Sequence, residues 1–327
     1  MVRTISRQMS PVREVKRKFK LILSADWHLR DDIPQCRERD EYLAAQERKL
    51  KFIHDLCEEN GATLLVAGDL FDGWKPSPWL ISLALRYIPH STIVVPGQHD
   101  MVSHNLQELG KTGLQTLAEA GVAIILSGGL RRVLGDPTVS YASVYGYAYG
   151  EEAQNPQKGD KGVKILMWHR LTCKGGQPWP GAEAAEAPNL VKQLNEFDLI
   201  LTGDNHQQFF TSHSKFKGPT GFVNPGSLMR MSSDQESFQP AVFGWKEDGS
   251  ITRIPLPIKE GVVKPTTNKT KNKESRDCRM AAYIKKASEQ YETKLSFTRN
   301  LEQHFKNNKE RPGVEQTVWK ACENSQK

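Results

Sequence analysis

Five apolar runs in this 327-residue chain each stop at a side chain able to bind a cation or move a proton. Ala62 to Ala67 is rich in Leu and Val and ends at Gly68-Asp69, with Asp72 close behind. A buried strand that breaks there delivers a carboxylate into a loop. Gly-Asp after a strand is also an ordinary turn, so Asp69 alone does not decide the matter. Lys20 to Ala25 ends in Asp26-Trp27-His28, where a carboxylate and an imidazole two residues apart share one side of the chain and suit a single metal ion. Thr92 to Pro96 leads into Gly97-Gln98-His99-Asp100, which offers an amide oxygen to a cation and a proton donor beside it. Val163 to Trp168 leads into His169, and Phe197 to Thr202 into Gly203-Asp204-Asn205-His206. One such histidine is more often a satisfied core or surface residue, but five consecutive strand ends of this kind are poorly explained by coincidence.

These side chains must be brought together by the elements between them. Over Glu38 to Asn60, Leu43, Leu50, Ile53 and Cys57 recur at helical spacing, and Gly61 stops the helix before the Ala62 strand. Strand, helix, strand is the unit of parallel sheets, whose ligand sites gather at the carboxyl ends of the strands. Asp26 and Asp69 are therefore expected at one sheet edge. Further helices are expected from about Pro78 to Tyr87 and from Leu106 to Ala120, with a strand near Val122 to Leu126 and an antiparallel strand of a second sheet within Val139 to Tyr149. The loop after Asp72 carries Trp74, Lys75 and Trp79, a set that can stack on bases or sugars or simply pack the loop onto the body.

Composition bounds the function. No apolar run approaches the roughly 20 residues of a membrane span, and five cysteines without C-x-x-C spacing read as reduced thiols of a cytoplasmic protein. The net charge of +7 is uneven: Met1 to Lys20 carries +6, Ile258 to the end +7, and the segment between them −6. A slightly acidic body with basic ends fits a metal-binding core flanked by segments that meet a polyanion, although solvated tails share that composition. The expected organisation is a basic arm over residues 1–19, a catalytic body over 20–258, a Thr/Asn/Lys-rich linker over 259–275 and a small helical domain over 276–327. In the last of these, Met280, Tyr283, Ile284 and Ala287 form one apolar stripe and Phe297, Leu301 and Phe305 another.

The order D-x-H, G-D-x-x-D, a G-N-H-D/E-like turn, an isolated His and a G-H-x-H-like turn resembles the calcineurin-like metallophosphoesterases from about Lys20 to Ile258. Within that superfamily SADWHL, VAGDLFD and the KPSP loop look most like the SbcD-type DNA repair nucleases. The resemblance implies a four-layer sandwich of two mixed β-sheets flanked by helices, here with a small C-terminal helical appendage. It assigns Asp26, His28, Asp69 and His206 to one divalent ion and Asp69, Gln98, His169 and Asp204 to a second, with Asp69 bridging. His99 would sit by the scissile phosphate as the catalytic acid without binding metal, Asp72 would brace its loop, and Asn224 belongs to the closing N-P-G-S turn. Two positions depart from the pattern: Gln98 stands where Asn is usual and Asp204 where His is usual. Gln keeps the amide oxygen but adds a methylene, which calls for a loop shift or a longer metal contact. Asp204 makes three carboxylates facing two dications, a balance favouring manganese or magnesium over zinc; loss of the second ion is the other outcome.

The function expected is dimetal-dependent phosphodiester hydrolysis, most simply a DNA exo- or endonuclease of DNA repair, recombination or replication. The implied partners are DNA, an SbcC-type coiled-coil ATPase subunit and a second copy in a homodimer. Two other readings share the motifs: a catalytically weak DNA-binding or scaffold subunit, and a phosphomonoesterase.

Overall fold

Two six-stranded sheets stacked face to face, with helices on both outer faces, make up the body of the chain. This computed structural model describes residues 19–136, 139–156, 162–179, 181–213 and 220–264, together with Phe305 and Gln316. Residues 1–18 of the expected basic arm, 265–275 of the linker and all of the C-terminal domain except Phe305 and Gln316 lie outside the described residues. The chain divides into a unit spanning Met1–Pro265, which holds everything below, and a second spanning Thr266–Lys327.

The first sheet runs, edge to edge, Ile251–Pro255, Ala241–Trp245, Leu21–Ser24, Thr63–Val66, Thr92–Val94 and Ala123–Ile125. Its last four strands are parallel and its first two antiparallel. The second sheet runs Phe209–His213, Thr220–Asn224, Leu199–Thr202, Val163–Trp168, Val139–Tyr147 and Leu130–Asp136. Both are mixed, as the four-layer expectation requires. Alternation along the central strands explains the layering. Leu21, Leu23, Leu65 and Ile93 pack between the sheets against Val144, Ile165, Met167, Leu199 and Leu201. Ile22, Leu64, Val66 and Val94 point the other way, onto Leu50, Ile53, Leu83 and Leu117 of the helices. Leu166, Ile200 and Phe222 meet Leu190 and Val191 on the far side. Strands covered on both faces read as unbroken apolar runs, which is why they are visible in the sequence.

Differences from the expected elements have local causes. The helix expected from Leu106 to Ala120 is two 3-10 segments, Val102–His104 and Leu106–Lys111, followed by a true helix only over Gly113–Glu119. Thr112 is extended and its hydroxyl accepts from Gln115 N, so it starts a new helix, and Gly113 N donates out of the helix to Trp74 O. Val139–Tyr147 is antiparallel to Leu130–Asp136, as expected, but parallel to Val163–Trp168. The Arg39–Asn60 helix ends at Gly61 in the left-handed conformation, as its sequence predicts. Its buried face, however, also carries Gln46 and Lys49, two polar residues that a hydrophobic pattern passes over. No described helix is long and apolar enough to cross a membrane. Cys36, Cys57 and Cys173 are free thiols.

Candidate metal centre

The parallel register aligns Ser24 with Val66 and Val66 with Val94, so the loops that follow leave the first sheet side by side. They stay laddered beyond the strands: Asp26 N donates to Gly68 O, His28 N to Asp69 O and Leu29 N to Leu70 O. On the second sheet Trp168 lies beside Thr202, which brings His169 and the Gly203-Asp204 turn to the matching end. The two sheets are tied there by Asp204 N donating to Asp26 Oδ1 (2.9 Å) and by His169 Nδ1 donating to Ala67 O (2.7 Å). A carbonyl can only accept, so that second bond leaves His169 Nε2 as the free ring nitrogen, 3.4 Å from Asp69 Oδ2. His28 Nε2 approaches the same oxygen from the other side at 3.5 Å. Asp69 Oδ2 thus lies within 3.5 Å of two imidazoles.

The turns are built for close approach. A Cβ on Gly97 would lie 2.1 Å from Asp69 Oδ1, and one on Gly68, whose φ is +88°, would lie 2.1 Å from His169 Nδ1. Asp26, His28, Asp69 and Asp204 also hold positive φ without being glycine, four of the seven such residues described. Backbone held in this sparsely populated region gathers at functional sites, where the surroundings over-determine it.

Three groups of side chains lie close enough to hold an ion: Asp26, His28 and His206; Asp26, Asp69 and His169; and His28, Asp72 and His99. Asp204 is in none of these; its Oδ1 instead accepts from Gln98 Nε2 at 2.8 Å. Gly97 is seated against Asp69, and the Gln98 side chain carries its amide to Asp204. Asp72 takes His28 Nδ1 on one oxygen (3.0 Å) and Arg30 on the other (3.1 Å). His99 is exposed, donates its backbone N–H to Asp69 Oδ1 (2.9 Å), and places Nδ1 3.1 Å from Asp72 O. The Asn224 amide donates to Asn205 O and Gln207 O, clasping the backbone on either side of His206. Trp74 and Trp79 are 37% and 44% exposed, so packing alone does not account for them.

Four buried polar atoms here have no partner: Asp26 Oδ2, Asp69 Oδ2, Gln98 Oε1 and His169 Nε2. Desolvating such atoms without a hydrogen bond costs about 1–3 kcal/mol each, more for a charge, a cost that a coordinated cation would offset. The titration behaviour makes the same demand. Burial pushes Asp26 up to about 7, reinforced by Asp69 and opposed by His169 and His28. Burial opposes protonation of His169, yet Asp69, Asp26 and Asp204 outweigh it and raise the ring to about 10. His28 is raised against burial by Asp72, Asp69 and Asp26. Asp69 is held well below the ordinary carboxylate range, against burial, by His169, His28 and His99. His206 is lowered to about 4 by burial and by His28. Carboxylates that draw protons onto their imidazole neighbours form a site of excess negative charge, and three oxygens with one nitrogen suit a hard dication.

Several supporting residues carry no periodic signal. Asp100 is buried and accepts from Leu70 N, Phe71 N and Gly97 N, tying the Asp69 and Gln98 loops together. Gln46 clamps both backbone groups of Arg30, and Lys49 donates to Leu228 O, while Leu228 N donates to Asp26 O. The signal for Asp100 is its place in the Gly97-Gln98-His99-Asp100 turn; Gln46 and Lys49 would need the helix phase to be known first.

A model of the calcineurin-like phosphoesterase family matches residues 19–208, which end just past His206. The chain belongs to the calcineurin-like phosphoesterase family. Among curated protein sequences none matches it. Solved structures similar to this phosphoesterase include a Staphylococcus aureus protein described as a 5′-nucleotidase in complex with α-ketoglutarate (13% identity, TM-score 0.46, 76% of this chain and 55% of that one). Another is the Thermus thermophilus sulfate thiohydrolase SoxB in complex with glycerol (15% identity, TM-score 0.41, 72% and 56%). This phosphoesterase therefore spans a little over half the length of each.

Proposed function

We propose that this phosphoesterase is a two-cation phosphodiesterase of the SbcD type acting on DNA, with manganese or magnesium as its ions. The observation that carries the reading is the set of four buried, unpartnered ligand atoms on the loops that carry Asp26, Asp69, Gln98 and His169, with exposed His99 held to Asp69 by its backbone N–H. Asp26, His28, Asp69 and His206 would hold one ion, and Asp69, Gln98, His169 and Asp204 the other. When bound, the ions supply a nucleophile at neutral pH and neutralise charge on the phosphoryl oxygens. The chain does the rest. The Asp69 and Asp72 contacts fix His99, and with Nδ1 on the Asp72 carbonyl its Nε2 is the nitrogen free to pass a proton to the leaving oxygen. DNA rather than a small phosphate ester is supported by exposed Trp74, Lys75 and Trp79 just beyond Asp72 and by the basic ends of the chain.

The test is turnover on defined single- and double-stranded DNA, on bis-(p-nitrophenyl) phosphate and on p-nitrophenyl phosphate, each with manganese, magnesium or chelator. Metal-dependent cleavage of the diesters is expected, with His99→Ala slower by about 100-fold or more and binding the same number of ions. Cleavage of the monoester alone would refute the DNA assignment, and unchanged turnover in His99→Ala would remove that residue from proton transfer.

A further inference from the structure

Gln98 and Asp204 come from different sheets and meet only through their side chains, Nε2 to Oδ1 at 2.8 Å. Both loops are closely packed at the residue before. Gly97 is seated on Asp69, and a Cβ on Gly203 would lie 2.1 Å from Ala67 O and 2.8 Å from His169 Nδ1. With the backbones seated in this way, the side chains span the gap between the two loops. An Asn at position 98 falls short by roughly 1.5 Å, one carbon–carbon bond, which takes the contact past hydrogen-bonding distance.

The bond also decides which end of the amide faces the ligands. A carboxylate accepts and cannot donate, so Asp204 takes the NH2 of Gln98; the reversed amide would set oxygen against oxygen. The amide oxygen is then left buried with no partner in the protein, as are Asp69 Oδ2 and His169 Nε2. Asp204 is itself held in place, with its backbone N–H on Asp26 Oδ1 and a φ of +76°.

We infer that Gln98 and Asp204 are an interlocked positioning pair: Asp204 orients the Gln98 amide so that Oε1 is presented to the second cation, and neither residue can be exchanged alone. Resting on the two-cation reading, the pair makes the second site oxygen-rich and selective for manganese or magnesium over zinc. Asp204 fixes the amide in addition to its place among the residues that would hold the second ion.

Manganese and zinc binding to the full chain, by calorimetry and elemental analysis, tests this in wild type, Gln98→Asn, Asp204→His, Asp204→Asn and the double variant Gln98→Asn/Asp204→His. Wild type is expected to take two manganese ions. Gln98→Asn and Asp204→His should each weaken the second by at least ten-fold. Asp204→Asn nearly preserves shape and keeps the test open if Asp204→His folds poorly; it should weaken the second ion too, because its amide no longer forces one orientation on Gln98. The double variant should regain the second ion with its preference moved toward zinc. Single variants that bind two manganese ions as tightly as wild type, or losses that simply add in the double variant, would overturn the pairing. Fewer than two ions in wild type would instead sink the two-cation reading itself, whatever the variants do.

Discussion

Lys49 gives the sharpest test of how the body holds the centre. Its ammonium is 2% exposed and donates to Leu228 O, and burial together with Arg230 and Arg37 brings it from 10.5 down to about 7. Between those two values the unfolded chain keeps a proton that the folded chain has released, so stability rises with pH across that window. The full difference is about 5 kcal/mol, a large fraction of the 5–15 kcal/mol that holds an ordinary domain together. Lys49→Met keeps most of the apolar stem and removes the titration. It also strips Leu228 O of its donor, at about 1–3 kcal/mol. The variant should therefore be the more stable protein at pH 6.5 and lose that lead as pH rises, the difference closing by about 3 kcal/mol by pH 9.5. Urea unfolding with chelator present, at several pH values, measures it directly. Parallel stability curves for the two proteins would refute the reasoning, because they would mean that Lys49 releases no proton on folding.

Other perturbations act on the centre itself. Asp69→Asn removes the charge that lies 3.5 and 3.4 Å from two imidazoles, and elemental analysis should find fewer than two manganese ions per chain; an unaltered count would end the bridging role. Gly97→Ala drives a methyl group to 2.1 Å from Asp69 Oδ1 and 2.4 Å from its backbone nitrogen. Overpacking of this kind costs about 1–3 kcal/mol, so a lower melting temperature with weakened metal binding is expected, and a variant indistinguishable from wild type would show that the loop is free to move. Asp100→Ala leaves the Leu70, Phe71 and Gly97 amides without their acceptor, and a loss of about 2 kcal/mol or more in urea unfolding is expected; a change below 0.5 kcal/mol would mean that water replaces the carboxylate.

What could be read from the sequence follows from where each residue's partners lie. The central strands LILS, TLLV, KILMW and LILT declare themselves because both faces are covered, and the ligands stand at their ends because parallel register forces neighbouring carboxyl termini together. Leu130–Asp136 gives no such signal: it is an edge strand with Leu130 61% and Val133 42% exposed, and only its pairing with Val139–Tyr147 makes it a strand. Ala241–Trp245 is likewise set by the antiparallel Leu21–Ser24 strand, some 220 residues earlier, which no local window contains. The same holds at the centre. Asp26, His28 and Asp69 could be placed from their own segments, whereas the consequence of Gln98 could not. Taken alone, its extra methylene calls for a displaced loop or a longer metal contact. Seen with Gly97 fixed on Asp69 and Asp204 arriving from the other sheet, it becomes the length needed to span the gap, so two departures that look like separate defects along the sequence are one contact in space.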